Sequence, residues 1–257
     1  MVLIRIGDNL TMKKIIKHFR KNWIRYGFET LVVTVGILGA FALDNWNESH
    51  KIKDMEAKYL NNLIVDLSAN TGYFENQIEL MNDAIKKQNT FILMSYEKQR
   101  TVEDFFKLFS FYNLDTEHLT IQNPTYTDLI NAGHLNIFSN ERVKYSIMAY
   151  YKLYEEYSIN IKEYNLVSTE YMIEADHVAP SAIKYMNLSK YYTRDMYFEG
   201  ELEYMNNPLS KEFLAVQEVM SVYLDRNEKH INYYRTLKES ANILIKKIKE
   251  ELSEKSY

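Results

Sequence analysis

The sequence predicts an all-α protein: one N-terminal transmembrane helix followed by an antiparallel bundle of three long helices with several short ones. Three observations carry that expectation. The chain of 257 residues holds only 7 Gly and 3 Pro, too few turn-formers for a sandwich or barrel. An uncharged run, Leu31 to Leu43, directly follows a strongly basic stretch. Three long segments space their apolar residues by alternating steps of four and three, which keeps them on one helix face. A hydrophobic content of 46% is enough to build a core. The absence of Cys excludes disulfides, thiolate metal sites and cysteine nucleophiles. A net charge of −4 argues against nucleic acid as a partner.

Taken in order, Met1 to Thr11 reads as unstructured. Ile15, Ile16, Phe19 and Trp23 then form an apolar stripe among Lys and Arg, the pattern of a short helix lying on an anionic leaflet. Before Phe28 the chain carries Arg5, Lys13, Lys14, Lys17, Arg20, Lys21 and Arg25 against Asp8 alone. The run Leu31 to Leu43 is short for a membrane span by itself. Counted outward to Trp23 and Trp46, the helix is about 36 Å long at about 1.5 Å per residue, enough for a hydrocarbon core and both interfaces. The two Trp residues then fall where aromatic belts lie. The expected organisation is a basic cytoplasmic segment over 1–22, a transmembrane helix over 23–46 and an extracytoplasmic helical domain over 47–257, oriented by the positive-inside rule. The competing reading is a cleaved signal peptide, since Ala40-Phe41-Ala42 has the small-x-small form of a cleavage site; the length of the basic region argues against it. A buried core helix is the soluble alternative.

Within the span two features invite a functional reading. Glu29 is an ionisable group in a membrane segment and a candidate for proton or ion coupling. The plainer account is a snorkelling pair with Arg25, one turn earlier. Gly36, Gly39, Ala40 and Ala42 give a small-residue face, with Gly36 and Ala40 in small-xxx-small spacing, which permits close helix approach and self-association.

Beyond Met55 the apolar line Leu60, Ile64, Leu67, Thr71, Phe74, Ile78, Met81, Ile85, Gln88 and Ile92 predicts one helix, continuous with the span or separate from it. Val102 to Leu114, rich in Phe, predicts a compact helix that covers the bundle. Pro124 at a first helical position opens a short helix through Ala132, closed by Gly133 as a left-handed C-cap. Asn140 is a good N-cap for a second long helix whose stripe runs Val143, Ile147, Tyr150, Tyr154, Tyr157, Ile161, Tyr164, Ser168, Tyr171, Ala175 and Val178. Ala182 to Asn207 reads as a helix followed by an irregular aromatic loop. After Pro208 the third stripe is Phe213, Val216, Met220, Tyr223, Asn227, His230, Tyr234, Leu237, Ala241, Leu244 and Ile248.

Chemistry is harder to find. Glu174 and His177 have the Glu-x-x-His spacing of di-iron bundles, but a second such pair is missing and Asp115 with His118 is the nearest substitute. His177 close to Pro180 also suits the negative end of a helix. There is no phosphate-binding Gly loop, no Gly-x-Ser-x-Gly elbow and no His-Glu-x-x-His. No metal, no cofactor and no reaction is therefore expected. The 22 Tyr residues are unusual. Tyr150, Tyr154, Tyr157, Tyr164 and Tyr171 share one stripe, which either packs the core, with Asn227 and His230 meeting the hydroxyls, or forms an aromatic pocket or protein-docking face.

Gly27-Phe28-Glu29, Gly36-Ile37-Leu38 and Asn45-Trp46-Asn47-Glu48 resemble the N-terminal signature of a family of uncharacterised single-pass membrane proteins from Bacteroidota. Tyr59-Leu60-x-x-Leu63, Asp66-Leu67, Tyr126-x-x-Leu129-x-x-x-Gly133-x-Leu135, Asn140 and Tyr150-Tyr151 continue the resemblance, which covers most of Gly27 to Glu155. Gly39 and Ala42 depart from it, standing where a larger apolar residue and a Gln are expected. The resemblance implies a bacterial inner-membrane protein with a periplasmic helical domain and implies no activity. The resulting expectation is a non-enzymatic module whose partners are the lipid bilayer and either a second copy or another membrane or extracytoplasmic protein. The alternative is a sensory or small-ligand-binding domain signalling through a separate partner, since the residues before the span leave little room for an output of their own.

Overall fold

The computed structural model describes residues 5–99, 101–115, 118–182 and 200–255, with side chains from Trp23 onward. Every described element is helical. In order these are α1 (Arg5–Ser95), α2 (Val102–Phe109), α3 (Pro124–Asn131), a 3-10 turn (His134–Ile137), α4 (Glu141–Val178), a second 3-10 turn (Glu203–Asn206) and α5 (Lys211–Glu254). The chain divides into two compact units, Met1–Ala57 and Lys58–Tyr257. The boundary thus falls inside α1, later than residue 47.

The helix starts are written in the sequence and found in place. Thr101 caps α2 in a reciprocal capping box with Asp104. Asn140 accepts from the Arg142 N–H at 3.0 Å, and Ser210 from the Phe213 N–H at 3.1 Å. Gly133 stands at φ 68°, the left-handed conformation that a residue without Cβ adopts at no steric penalty. Two expectations change, and a third falls largely outside the described residues. α1 begins at Arg5, so the segment up to Thr11 is not unstructured throughout. α2 ends at Phe109 rather than Leu114. Of the stretch Ala182 to Asn207, residues 183–199 lie outside the described set.

In the N-terminal unit no apolar side chain among the described residues, Trp23 onward, is enclosed. α1 is long and apolar enough there to span a membrane: its most apolar window has a mean hydropathy of 1.7, and none of that window is buried.

In the C-terminal unit α5 runs opposite to α1, as shown by Gln217 with Ser95 (2.7 Å), Asn227 with Gln88 (3.2 Å) and Lys238 with Glu75. It also runs opposite to α4: the Tyr223 hydroxyl lies 3.8 Å from Met172 Sδ, the Tyr233 and Tyr157 rings are 4.6 Å apart, and Lys247 Nζ donates to Ser146 Oγ at 3.0 Å. All eleven residues of the predicted α5 stripe are buried. On α1 the buried line differs from the predicted one. It passes through Leu60, Leu63, Leu67, Asn70, Phe74, Gln77, Met81, Gln88, Phe91 and Ser95, while Ile64, Ile78, Ile85 and Ile92 are flanking residues at its edge. The expectation favoured isoleucine over the neighbouring Asn70 and Gln77, whereas the heptad admits polar residues that find partners.

Two large apolar clusters result, beside a small one of Ala175, Val219 and Tyr223. The larger joins Leu60 to Met81 of α1, Val143 to Ile161 of α4 and Ile231 to Ile248 of α5. The other gathers Phe91, α2 and the start of α5 around Phe105, Phe109, Val216 and Met220, with the Phe91 and Tyr112 rings 5.1 Å apart.

Candidate functional site

The residues between these clusters are polar on every long helix. Gln88 of α1, Asn165 and Ser168 of α4, and Arg226, Asn227 and His230 of α5 are all buried. Arg226 is the centre of this layer. Its Nη2 donates to the Asp115 carbonyl at 2.6 Å and to Asn227 Oδ1 at 2.8 Å, and the guanidinium lies 4.2 Å from the centre of the Tyr223 ring. Asn227 Nδ2 then donates to Gln88 Oε1 at 3.2 Å, and Gln88 Nε2 to the Asn113 carbonyl at 3.0 Å. One network therefore ties the 113–115 segment to two long helices. A buried guanidinium is stable only with such compensation. Burial lowers the Arg226 pKa, and the Tyr223 ring and Asp115 partly restore it.

His230 is fully buried, and neither ring nitrogen has a hydrogen-bond partner. Burial, with the Arg226 charge acting in the same direction, lowers its pKa to about 3, so the ring is neutral at pH 7. Asn227 and His230 thus do not meet the tyrosine hydroxyls as the sequence led us to expect; Tyr164 touches His230 only ring to ring, at 6.3 Å. A cavity of about 130 Å³ ends on Asn227, with Asp83, Lys87, Asn113 and Asp115 among its walls.

A second polar assembly lies along α1 between Tyr59 and Tyr73, where the segment 118–125 passes as a strap. Tyr73 Oη donates to the His118 carbonyl at 2.9 Å and accepts from the Thr120 N–H at 3.3 Å. Asn70 takes both sides of one peptide, donating to the Gln122 carbonyl at 2.8 Å and accepting from the Gln122 N–H at 2.7 Å. Asp66 accepts from the Thr125 N–H at 3.0 Å, supplying α3 with the cap that Asn123 does not provide. Leu119 and Ile121, the alternate side chains, are buried in the larger cluster. The strap ends at a clasp: the Tyr59 hydroxyl lies 2.6 Å from Asp128 Oδ2 and 2.9 Å from His134 Nδ1. A phenol has one proton, and the short contact to the carboxylate takes it, so a neutral His134 carries its proton on Nδ1 and leaves Nε2 as an acceptor. The hydrogen bond to Asp128 raises the Tyr59 pKa.

The residues singled out from sequence are dispersed. Trp23 and Trp46 are exposed, and Arg25 Nε pairs with Glu29 Oε1 at 3.0 Å. Gly36, Gly39 and Ala40 are exposed, and a Cβ at either glycine would meet nothing within 4 Å. The five stripe tyrosines do not make one open face. Tyr150 is buried in the core, Tyr154 and Tyr157 pack at its edge, Tyr164 lies under Lys229 Nζ at 4.6 Å, and only Tyr171 is exposed. Tyr151, off that stripe, is buried and stacks on Tyr126 at 3.8 Å. Glu174 and His177 are both exposed, and among the described residues no group of three or more His, Asp or Glu converges as a metal site would need.

Sequence reasoning missed the strap and the polar layer. The signal available was polar residues at heptad positions, namely Asn70, Gln77 and Gln88. Comparison with family models, with curated proteins and with solved structures returns no match. The resemblance at the membrane exit therefore rests on the quoted residues alone.

Proposed function

We propose that this protein is a single-pass membrane-anchored interaction module of the bacterial inner membrane. In this reading residues 1–22 are cytoplasmic, 23–46 cross the bilayer, and the remainder forms a periplasmic antiparallel bundle of three long helices. The bundle docks a protein, either a second copy or another membrane or extracytoplasmic protein, and catalyses no reaction. The observation that carries it is the exposure of every large apolar side chain from Phe28 to Leu43, which no part of the described chain covers. Apolar area of that extent is stable in lipid and not in water. The basic residues before Phe28 and the resemblance at Asn45 to Glu48 support the orientation.

The test is crosslinking in native membranes followed by identification of the products. The expected result is a discrete species larger than the monomer. Recovery of monomer alone would overturn the docking reading. Protease added to spheroplasts is expected to digest the C-terminal unit, and protection would overturn the orientation.

The polar layer favours a second reading, a small-ligand-binding domain that signals through a separate partner. Its cavity beside Asn227 has room for a ligand of a few heavy atoms. A polar metabolite that raises Tm, with the rise removed by Asn227→Ala, would support it.

A further inference from the structure

We propose that the cleft ending on Asn227 binds a small zwitterion, namely a free α-amino acid with a short side chain. This deepens the second reading above and rests on it, that the C-terminal unit takes up a small polar ligand.

The class of ligand follows from charge. Arg226 is 2% exposed, and its guanidinium is held by a carbonyl, an amide and a ring, with no carboxylate in an ion pair among the described residues. Its Nη1 is buried without a hydrogen-bond partner. The two acceptors of Nη2, the Asp115 carbonyl and Asn227 Oδ1, belong to residues of the cleft wall, so this positive charge stands one hydrogen bond behind that wall. Buried charge of this kind is poorly screened. The guanidinium also polarises the Asn227 amide through Oδ1, which strengthens Nδ2 as a donor. Of the two hydrogens on Nδ2, Gln88 Oε1 takes one, and the other has no acceptor among the described residues. Lys87, exposed and outside every ion pair among the described residues, adds an ammonium to the same cleft.

The cleft carries two carboxylates as well. Asp83 is exposed and pairs only loosely with Lys86, at 3.7 Å. Asp115 Oδ2 accepts from Asn113 Nδ2 at 2.9 Å, and Oδ1 is left open. A metal cation would be repelled by Arg226 and Lys87, and a simple anion by Asp83 and Asp115. A zwitterion answers both signs at once: its carboxylate takes Lys87 and the Asn227 amide, and its ammonium takes Asp83 and Asp115. Leu80 and Ala84 supply an apolar patch for a side chain. The volume of about 130 Å³ is that of about four waters at about 30 Å³ each, which admits glycine or alanine and excludes leucine.

The experiment is calorimetric titration of the full chain in detergent micelles with L-alanine, and separately with acetate, methylammonium and L-leucine. Alanine is expected to bind at one site per chain, and each of the other three about tenfold more weakly. Lys87→Gln should weaken alanine about tenfold by releasing its carboxylate, and Asp83→Asn by a similar factor through its ammonium. Both side chains are exposed, so the melting of the ligand-free C-terminal unit should stay where it was. Alanine that binds no tighter than acetate and methylammonium, or that ignores both substitutions, would overturn the site. If alanine fails while another polar metabolite raises Tm in an Asn227-dependent way, the zwitterion falls and the small-ligand reading stands. If no metabolite binds, both fall.

Discussion

The two ends of α1 carry the same kinds of side chain in opposite surroundings. Ile37, Leu38 and Phe41 are 51 to 63% exposed, whereas Leu60, Leu63, Leu67 and Phe74 are exposed by 1% or less. Helix propensity and hydrophobicity do not distinguish these stretches, so the difference lies in what covers them. The later stretch is covered by α4, α5 and the strap, through a narrow stripe that leaves its other faces polar. The earlier stretch is apolar all round, and nothing in the described chain covers it, as suits a helix long and apolar enough to span a membrane.

The largest effect that would test this contrast is a matched pair of truncations. Phe74→Ala removes a buried ring packed on Tyr234, with centroids 6.0 Å apart, and is expected to destabilise the C-terminal unit by about 4 kcal/mol. Phe41→Ala is expected to leave the unfolding transition of that unit where it was; denaturant titration in detergent checks both. A shift from Phe41→Ala as large as that from Phe74→Ala would erase the distinction.

Next comes Leu38→Arg, which places a charge midway along the apolar stretch. It is expected to disfavour insertion by about 3 kcal/mol. Carbonate extraction should then show loss of the protein from the membrane fraction, with the melting of the C-terminal unit unchanged.

Acid should act on the C-terminal unit alone. The pKa of His230 is lowered in the folded state to about 3 from 6.5. Below pH 6.5 the unfolded chain therefore takes up a proton that the folded chain refuses, and stability falls as pH drops until about 3. Between pH 6.5 and pH 5 the loss is about 2 kcal/mol. Denaturation midpoints at the two pH values measure it, and His230→Phe is expected to remove this part of the slope.

Asn70→Ala deletes both hydrogen bonds to the Gln122 peptide and should destabilise by about 2 kcal/mol, with faster amide exchange at Gln122 as the specific readout. The smallest effect belongs to Glu29→Gln. The Arg25 pair is exposed, so membrane fraction and crosslinked oligomer size are expected to stay unchanged. A change in either would give Glu29 a role beyond the interface.

How legible this molecule is in its sequence varies by element. The α5 stripe could be read residue by residue because it is apolar or aromatic at nearly every buried position. The cap at Asn140 and the turn at Gly133 were legible because their side chains, or the lack of one, act within a few residues. The α1 stripe was misread by half because Asn70 and Gln77 are buried, and their burial depends on partners distant in the chain. The same holds for Arg226: nothing local to it announces that the Asp115 carbonyl, over a hundred residues earlier, will receive its guanidinium. The Tyr59, Asp128 and His134 clasp was hidden for that reason too. Periodicity reports which face of a helix turns inward, but not which polar group waits there.

The strap has a practical corollary. Because α1 grips it through peptide groups, the outward side chains of Thr120 and Gln122 take no part in the hold, and both are exposed. Any residue that keeps its amide hydrogen should serve at either position, proline being the exception. A fluorophore or an affinity handle attached there would report on the C-terminal unit without loosening what lies beneath.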